Sequence, residues 1–192
     1  MKKALLIMLL GITYVHTFAQ KDEISVTYSP ASLYRFEKWV DGDFEGQTKY
    51  FVLGAFNLDY YHYYQPWLKV GINLMYDKVV SEGSGDLQYF TYPPTTSVSF
   101  DYRSTKSAFV IAPQVEFEYL RHPKFRLSSG LSIGYAKERF KNNGGLNYSV
   151  DLDGWSYHIN LLSFKWGEKY GLTGNIGAGH KGFINLGYFV RF

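Results

Sequence analysis

Apolar and polar side chains alternate strictly along the last segment of the chain. One face of this segment holds Ile184, Leu186, Tyr188, Val190 and Phe192, and the other holds Phe183, Asn185, Gly187, Phe189 and Arg191. A period of two places successive side chains on opposite faces of a β-strand. The segment therefore predicts a strand with one continuous apolar face and one mixed face.

The same alternation predicts further strands. We place them at residues 23–29, 50–61, 67–77, 107–119, 125–136, 155–163 and 170–178, ahead of the terminal strand 183–192. Pro113 predicts a bulge in its strand. The apolar faces carry no Asp, Glu, Lys or Arg, whereas the opposite faces are rich in Gly, Ser, Ala and Asn. A soluble sandwich would carry Lys and Glu on its solvent face, so the pattern favours a narrow lumen and a lipid-facing exterior.

The predicted links between strands alternate in length. Short links fall at 62–66, 120–124 and 164–169, and long links fall at 30–49, 78–106 and 137–154. Bacterial barrels place short turns in the periplasm and long loops outside the cell. An even number of strands then places both termini in the periplasm. The predicted fold is all-β: an eight-stranded antiparallel up-and-down transmembrane β-barrel in the outer membrane.

The beginning of the chain predicts export. Lys2 and Lys3 precede an apolar run at residues 4–12, and Thr17-Phe18-Ala19 before Gln20 offers small residues where signal peptidase cleaves. We expect a cleaved signal peptide at 1–19 and one barrel domain at 20–192. The apolar run is too short for a spanning helix, which needs about 20 apolar residues.

Composition and charge narrow the class further. The chain contains 18 Tyr, 15 Phe and 4 Trp, and membrane barrels use such aromatic residues in girdles at the two membrane interfaces. Cys is absent, which excludes disulfides and thiol chemistry. The net charge of +3 comes from scattered basic residues, so we expect no nucleic-acid partner.

The charges that alternation directs into the lumen fall almost entirely in the periplasmic half. They are Glu23, Asp59, Lys69, Glu116, Glu118, Arg126 and Arg191. Pairing of adjacent strands predicts Asp59 beside Lys69, both glutamates beside Arg126, and Arg191 beside Glu23. An eight-stranded barrel is only wide enough for side chains to fill it. We therefore expect a structural ion-pair plug, with a proton or ion path as the alternative.

The upper lumen is predicted to be weakly apolar. Its expected lining is Phe51, Leu53, Ala55, Met75, Ala108, Val110, Ala112 and Ala136. Strands that project above a bilayer pack apolar side chains inward, and this explains the lining without a ligand. The alternative is a space for an acyl chain.

Several segments resemble binding motifs, but we interpret them as turns or loops. Gly177–Gly182 spells G-x-G-x-x-G, but a strand follows it where a dinucleotide site needs a helix, so we interpret it as a tight outer turn. Asp41–Gly46 resembles the opening of a calcium loop, but Val52 occupies the position of the bidentate carboxylate. A weak cation site in this loop, or near Asp151 and Asp153, stays open. We predict no metal site and no cofactor.

Ser156 and His158 are the best candidates for enzyme chemistry, because they share one strand face. Small barrels that deacylate lipid A use Ser, His and an acid, but there the His precedes the Ser, and no carboxylate is evidently placed to orient His158 here. We interpret His158 as a hydrogen-bonded lumen residue and predict no catalytic residue.

The export signal, the eight alternating strands, the loop asymmetry and the ending Gly187-Tyr-Phe-Val-Arg-Phe192 together resemble the small OmpA/OmpX-type barrels. The resemblance is greatest to the "outer membrane protein beta-barrel domain" family common in Bacteroidota, and it covers essentially the whole mature chain. It implies an integral outer-membrane protein without an established reaction. A structural or surface-interaction barrel is the first hypothesis; a lipid-modifying enzyme and a narrow pore are its rivals.

The resemblance also implies partners. Asn185, Gly187, Val190 and Phe192 match the pattern polar-x-Gly-x-x-apolar-x-Phe, which resembles the signal read by the barrel-assembly machinery. The expected partners are that machinery, outer-membrane lipids, and an unidentified extracellular partner of the loops 30–49, 78–106 and 137–154.

Overall fold

A computed structural model describes residues 21–32, 49–88, 97–143 and 147–192. The strands are β1 (Asp22–Ser29), β2 (Lys49–Val52), β3 (Ala55–Gln65), β4 (Leu68–Gln88), β5 (Ser97–His122), β6 (Phe125–Asn143), β7 (Tyr148–Gly167), β8 (Tyr170–Gly179) and β9 (Ile184–Arg191). Within these ranges no helix is long and apolar enough to cross a membrane. The predicted signal peptide at 1–19 and the motif Asp41–Gly46 lie outside the described residues.

The strands form one closed antiparallel sheet. Their order is β2-β4-β3-β1-β9-β8-β7-β6-β5, and β4 also pairs with β5, which closes the ring. β2 and β3 pair with successive parts of β4, so together they occupy one strand position. Each strand therefore lies beside its neighbours in sequence, and the predicted eight-stranded up-and-down barrel is confirmed.

The junction between β2 and β3 contains a bulge. Val52 pairs with Val79 and Phe56 with Tyr76, so three residues on one side oppose two on β4. Gly54 provides the positive φ, 82°, at this point. The extra residue reverses the faces, so Phe51 and Leu53 are 67% and 37% exposed, and their predicted place in the lumen is wrong. The remaining predicted lining residues are buried: Ala55, Met75, Ala108, Val110, Ala112 and Ala136.

The bulge predicted at Pro113 is also wrong. Pro113 pairs with Ile72 in an unbroken β4–β5 register, and on the β6 side the pairs Ile111–Tyr135 and Gln114–Ser132 keep one register. Proline removes a backbone donor without inserting a residue, so the ladder continues past it.

Two hairpins extend well beyond the predicted strand ends. β4 and β5 stay paired as far as Gln88 and Ser97, and β6 and β7 as far as Asn142 and Tyr148. The predicted loops 78–106 and 137–154 are therefore mostly β-ladder. Lys137, Glu138 and Arg139 of β6 are charged on both faces and show no alternation, whereas Tyr148, Val150 and Leu152 of β7 do alternate with Ser149, Asp151 and Asp153, a signal that the sequence prediction missed. We call residues 78–88 with 97–107, and 137–143 with 148–154, the projecting hairpins.

The short turns lie at the end of the barrel that carries the two described termini. They are centred on residues 66–67, 123–124 and 168–169. Reciprocal backbone bonds of 3.0 and 2.9 Å join Asp22 and Phe192 beside them. We call this the terminal end. The projecting hairpins leave from the opposite end.

A belt of apolar side chains surrounds the barrel. It includes Val26, Leu58, Ile72, Ile111, Ile133, Ile159, Ile176 and Leu186, all exposed. Exposed aromatic side chains flank the belt: Tyr64, Trp67, Trp166 and Tyr170 toward the terminal end, and Tyr28, Tyr76, Tyr135 and Trp155 toward the hairpins. Soluble monomers rarely expose contiguous apolar patches above a few hundred Å², whereas an apolar band between aromatic girdles is typical of a transmembrane barrel.

Candidate functional site

Charged side chains fill the lumen near the terminal end. We call Glu23, Lys69, Glu116, Glu118, Lys165 and Arg191 the lumen ion cluster. The carboxylate of Glu23 lies 2.9 Å from Arg191 Nη2 and 3.4 Å from Lys69 Nζ, and it also contacts Lys165 Nζ. Glu23 and Lys69 are completely buried. Each of these side chains lies on the lumen face of its strand: Glu23 on β1, Lys69 on β4, Glu116 and Glu118 on β5, Lys165 on β7 and Arg191 on β9.

The other two glutamates complete a neutral cluster. Lys69 Nζ lies 3.1 Å from Glu116 Oε1 and 3.4 Å from Glu118 Oε1. The Tyr63 hydroxyl donates to Glu118 at 2.7 Å and accepts from Arg191 Nη2 at 2.5 Å. Three carboxylates thus face three cations. Such matching is required because an unpaired charge buried in a lumen is strongly unfavourable.

A second polar group lies above this cluster, around Asp59. Lys181 Nζ is 2.6 Å from Asp59 Oδ1 and 2.7 Å from Gln114 Oε1. Asn73 and Gln114 donate to the same carboxylate oxygen at 2.9 and 3.0 Å. Lys181 belongs to the β8–β9 turn, so this turn directs a lysine side chain into the barrel, where it reaches Asp59 and Gln114.

The inward turn corrects the interpretation of Gly177–Gly182. Gly177, Ala178 and Gly179 are the last residues of β8, and the tight turn follows them; His180 and Lys181 in this turn are each only 4% exposed. Gly179 and Gly182 have φ values of 132° and 93°, which a side chain rarely adopts. These two glycines allow the tight turn that buries His180 and Lys181.

The predicted pairs are only partly brought together. Arg191 lies opposite Glu23 in the β1–β9 register, where the 2.9 Å contact forms. Asp59, however, faces Asn73 across β3–β4 and finds its cation in Lys181, so its predicted pairing with Lys69 is wrong. Lys69 lies opposite Glu116 on β5 instead. Alternation shows which face a side chain is on, but the strand register determines which residue lies opposite it.

The predicted pairing of Glu116 and Glu118 with Arg126 is wrong as well. Among the described residues Arg126 makes no ion pair. Its strand neighbours are Arg121 on β5 and Lys165 on β7. Register irregularities between Glu118 and Leu120 and between Ser128 and Gly130 separate it from the glutamates.

Sequence reasoning missed Lys165 and Lys181. Lys165 lies just beyond the predicted end of its strand at residue 163, and it continues the inward face begun by Ser163. That continuation was the signal that could have found it. Lys181 gave no such signal, because a lysine in a tight turn is expected in solvent.

His158 is buried in the lumen beside His180, with ring centroids 5.6 Å apart. His158 is 1% exposed, so its predicted place in the lumen is confirmed; its ring faces the backbone of Gly179, and no side chain among the described residues bonds to either ring nitrogen. Ser156 is half-buried on the same strand. The arrangement lacks the carboxylate hydrogen bond that orients a catalytic imidazole.

Residues of the predicted assembly signal have structural contacts in the barrel. Asn185 accepts from Asn57 at 3.0 Å and donates to Asn175 at 2.8 Å. A Cβ atom on Gly187 would lie 1.9 Å from the carbonyl oxygen of Val26, so only glycine fits at this seam. Val190 faces outward and Phe192 is half-exposed.

Metal ligation has little support in the described ranges. No group of three or more His, Cys, Asp or Glu side chains there could hold a metal ion. Asp151, considered above for a weak cation, accepts from Arg139 Nε at 2.9 Å and Nη2 at 3.1 Å. This hydrogen-bonded guanidinium holds the pKa of Asp151 below its ordinary value, and it already neutralises the carboxylate.

Comparison with known proteins gives structural similarity only. No protein-family model matches the chain, and no curated protein matches it. Among solved structures, the chain is similar to Ail, the attachment invasion locus protein of Yersinia pestis. In complex with the heparin analogue sucrose octasulfate, Ail has 14% identity and a TM-score of 0.42, covering 90% of this chain and 99% of Ail. A second Ail structure has 15% identity and a TM-score of 0.40, covering 91% and 100%. At these values the likeness says nothing about what this chain binds.

Proposed function

We propose that this protein is an integral outer-membrane barrel with a sealed lumen, and that its projecting hairpins contact partners at the cell surface. The observation that carries the proposal is the reversed polarity of the fold. Leu58 and Ile133 are 44% and 51% exposed on the outside, while Lys69 is 0% exposed in the centre. Soluble proteins bury apolar groups and almost never bury Lys fully. Hydrocarbon around the belt explains why the apolar side chains face outward and the charged side chains face the lumen.

The terminal end is proposed to face the periplasm. Its short turns and the described termini match the periplasmic side of bacterial barrels, and the projecting hairpins match the extracellular side. Asn185, Gly187, Val190 and Phe192 are proposed to be read by the assembly machinery before β9 closes the ring against β1. Outer-membrane lipids are the partners of the belt.

The hairpins are proposed as the interaction surface because they are long and regular and carry exposed charged side chains, among them Glu82, Arg103, Arg139 and Asp151. Arg103 Nε lies 3.2 Å from Glu82 across β4–β5, and Arg139 binds Asp151 across β6–β7. Tyr148 adds an exposed aromatic ring. Continuous ladders preorganise such a surface and lower the entropy lost on binding.

A catalytic or transport role has less support. The lumen is occupied by the ion cluster and by the inward turn that carries Lys181. His158 lacks an orienting acid. We therefore favour a structural or surface-interaction role over a lipid-modifying enzyme or a pore.

Fractionation and gel migration test the proposal together. The protein should remain with outer membranes after a carbonate wash, and it should run faster on a detergent gel before boiling than after. A folded closed barrel resists detergent, whereas boiling opens it. Recovery in the aqueous fraction without detergent, or equal mobility before and after boiling, would overturn the assignment.

A further inference from the structure

The terminal end of the barrel contains a cavity with excess positive charge. Its volume is about 380 Å³, and its lining includes Lys21, Arg121, Arg126 and Arg191. Glu118 is the one carboxylate among the described lining residues. It is already engaged by the Tyr63 hydroxyl at 2.7 Å and by Lys69 at 3.4 Å. Arg191 is paired with Glu23, so the excess positive charge of the cavity wall comes from Lys21, Arg121 and Arg126.

Two arginines stand directly opposite each other at this site. Arg121 and Arg126 are partners in the β5–β6 register, and Lys165 is the partner of Arg126 on β7. Like charges directly opposite one another on neighbouring strands are destabilising. A bound anion between the guanidinium groups would remove this repulsion.

Unused hydrogen-bond donors point to the same conclusion. Arg126 Nη1 and Arg191 Nε are buried and have no acceptor among the described residues. Arg191 as a whole is only 8% exposed. Leaving a charged donor buried and unpaired is costly, so the site is incomplete as the protein atoms alone form it.

We propose that this cavity binds a phosphate group through Arg121 and Arg126, with Arg191 and Lys21 completing the positive wall. Guanidinium forks match the oxygens of phosphate in bidentate geometry. The volume lies in the range of small-molecule sites, about 300–1,000 Å³, so it admits a phosphate with an attached group. The source is either a soluble phosphate compound or the headgroup of a phospholipid in the adjacent leaflet.

Calorimetric titration of the folded protein in a non-ionic detergent tests the proposal. Inorganic pyrophosphate and dihexanoyl phosphatidic acid serve as the two probes. We expect saturable binding of at least one probe, weakened about tenfold by Arg121→Gln or Arg126→Gln, because each removes charge-assisted hydrogen bonds. Tighter binding of the lipid identifies a headgroup site, and tighter binding of pyrophosphate identifies a soluble ligand.

Lys124→Gln is the matched control. Lys124 lies in the same β5–β6 turn region and carries the same charge, but it does not line the cavity. Its substitution should leave the affinity unchanged. Equal weakening by Lys124→Gln and the two arginine variants would show diffuse attraction and overturn the proposal, as would the absence of saturable binding of both probes to the wild-type protein.

Whether the variants fold is measured separately from their binding. Neither Arg121 nor Arg126 has an ion-pair partner among the described residues, so both variants should keep the wild-type difference in gel mobility before and after boiling. The better-binding probe should raise the urea midpoint of the wild type and of Lys124→Gln by more than that of Arg126→Gln at the same probe concentration, because a tenfold weaker affinity gives a smaller stabilisation. An equal gain in Arg126→Gln would contradict the assigned site.

Discussion

Neutralising Glu23 should unbalance the lumen ion cluster and destabilise the barrel. The carboxylate of Glu23 contacts Lys69, Lys165 and Arg191 and is completely buried. Glu23→Gln keeps the side-chain shape but leaves two carboxylates facing three cations in the cluster. Removing one member of a buried ion pair costs about 3–5 kcal/mol. We expect the free energy of unfolding to fall by that amount.

Urea titration of the protein in lipid vesicles, followed by tryptophan fluorescence, measures this change. Glu82→Gln is the control, because Glu82 also pairs with an arginine, Arg103, but its side chain is 54% exposed. A surface pair contributes at most about 1 kcal/mol. Lys165→Met in the Glu23→Gln background restores the charge balance and should recover part of the loss. A Glu23→Gln variant as stable as Glu82→Gln would refute the reasoning.

Three further predictions concern the lumen side chains and the β1–β9 pairing. Lys181→Met should lower the free energy of unfolding by about 3–5 kcal/mol in the same urea assay, because it leaves the buried carboxylate of Asp59 without a cation. Adding Asp59→Asn to this variant should restore stability, and a purely additive loss would contradict the pairing. Gly187→Ala should reduce the fraction that shows heat-modifiable migration, since its Cβ would meet a carbonyl oxygen at 1.9 Å, whereas Gly154→Ala has nothing within 4 Å and should fold normally. Planar bilayers containing the wild-type protein should show no discrete conductance steps, and regular steps would show that the lumen opens.

The strand faces could be predicted from the sequence because each membrane strand separates two unlike surroundings. In β9, Ile184 and Leu186 face outward while Asn185 is fully buried, as the alternation indicates. The prediction failed where a strand arm has the same medium on both faces and carries no alternation. Lys137, Glu138 and Arg139 of β6 are charged on both faces, so this ladder was interpreted as a loop, although Tyr148, Val150 and Leu152 of β7 do alternate with Ser149, Asp151 and Asp153.

Register and bulges were the other source of error. Alternation shows which way Asp59 points, but the β3–β4 register places it opposite Asn73 and away from Lys69. One added residue before Ala55 moved Phe51 to the outside. The inward direction of Lys181 could not be predicted from alternation, because Lys181 lies in a turn, and the space that the turn enters is formed by the other strands.

Single-cysteine labelling tests the central claim, that hydrocarbon surrounds the belt, most directly. The chain contains no Cys, so Leu58→Cys on the belt and Leu152→Cys on a projecting hairpin each provide one reporter. Both side chains are exposed at the protein surface, 44% and 57% respectively. For protein inserted in lipid vesicles, a water-soluble maleimide should label Leu152→Cys rapidly and leave Leu58→Cys unlabelled, because lipid covers only the belt. Equal labelling rates at the two positions would contradict the account.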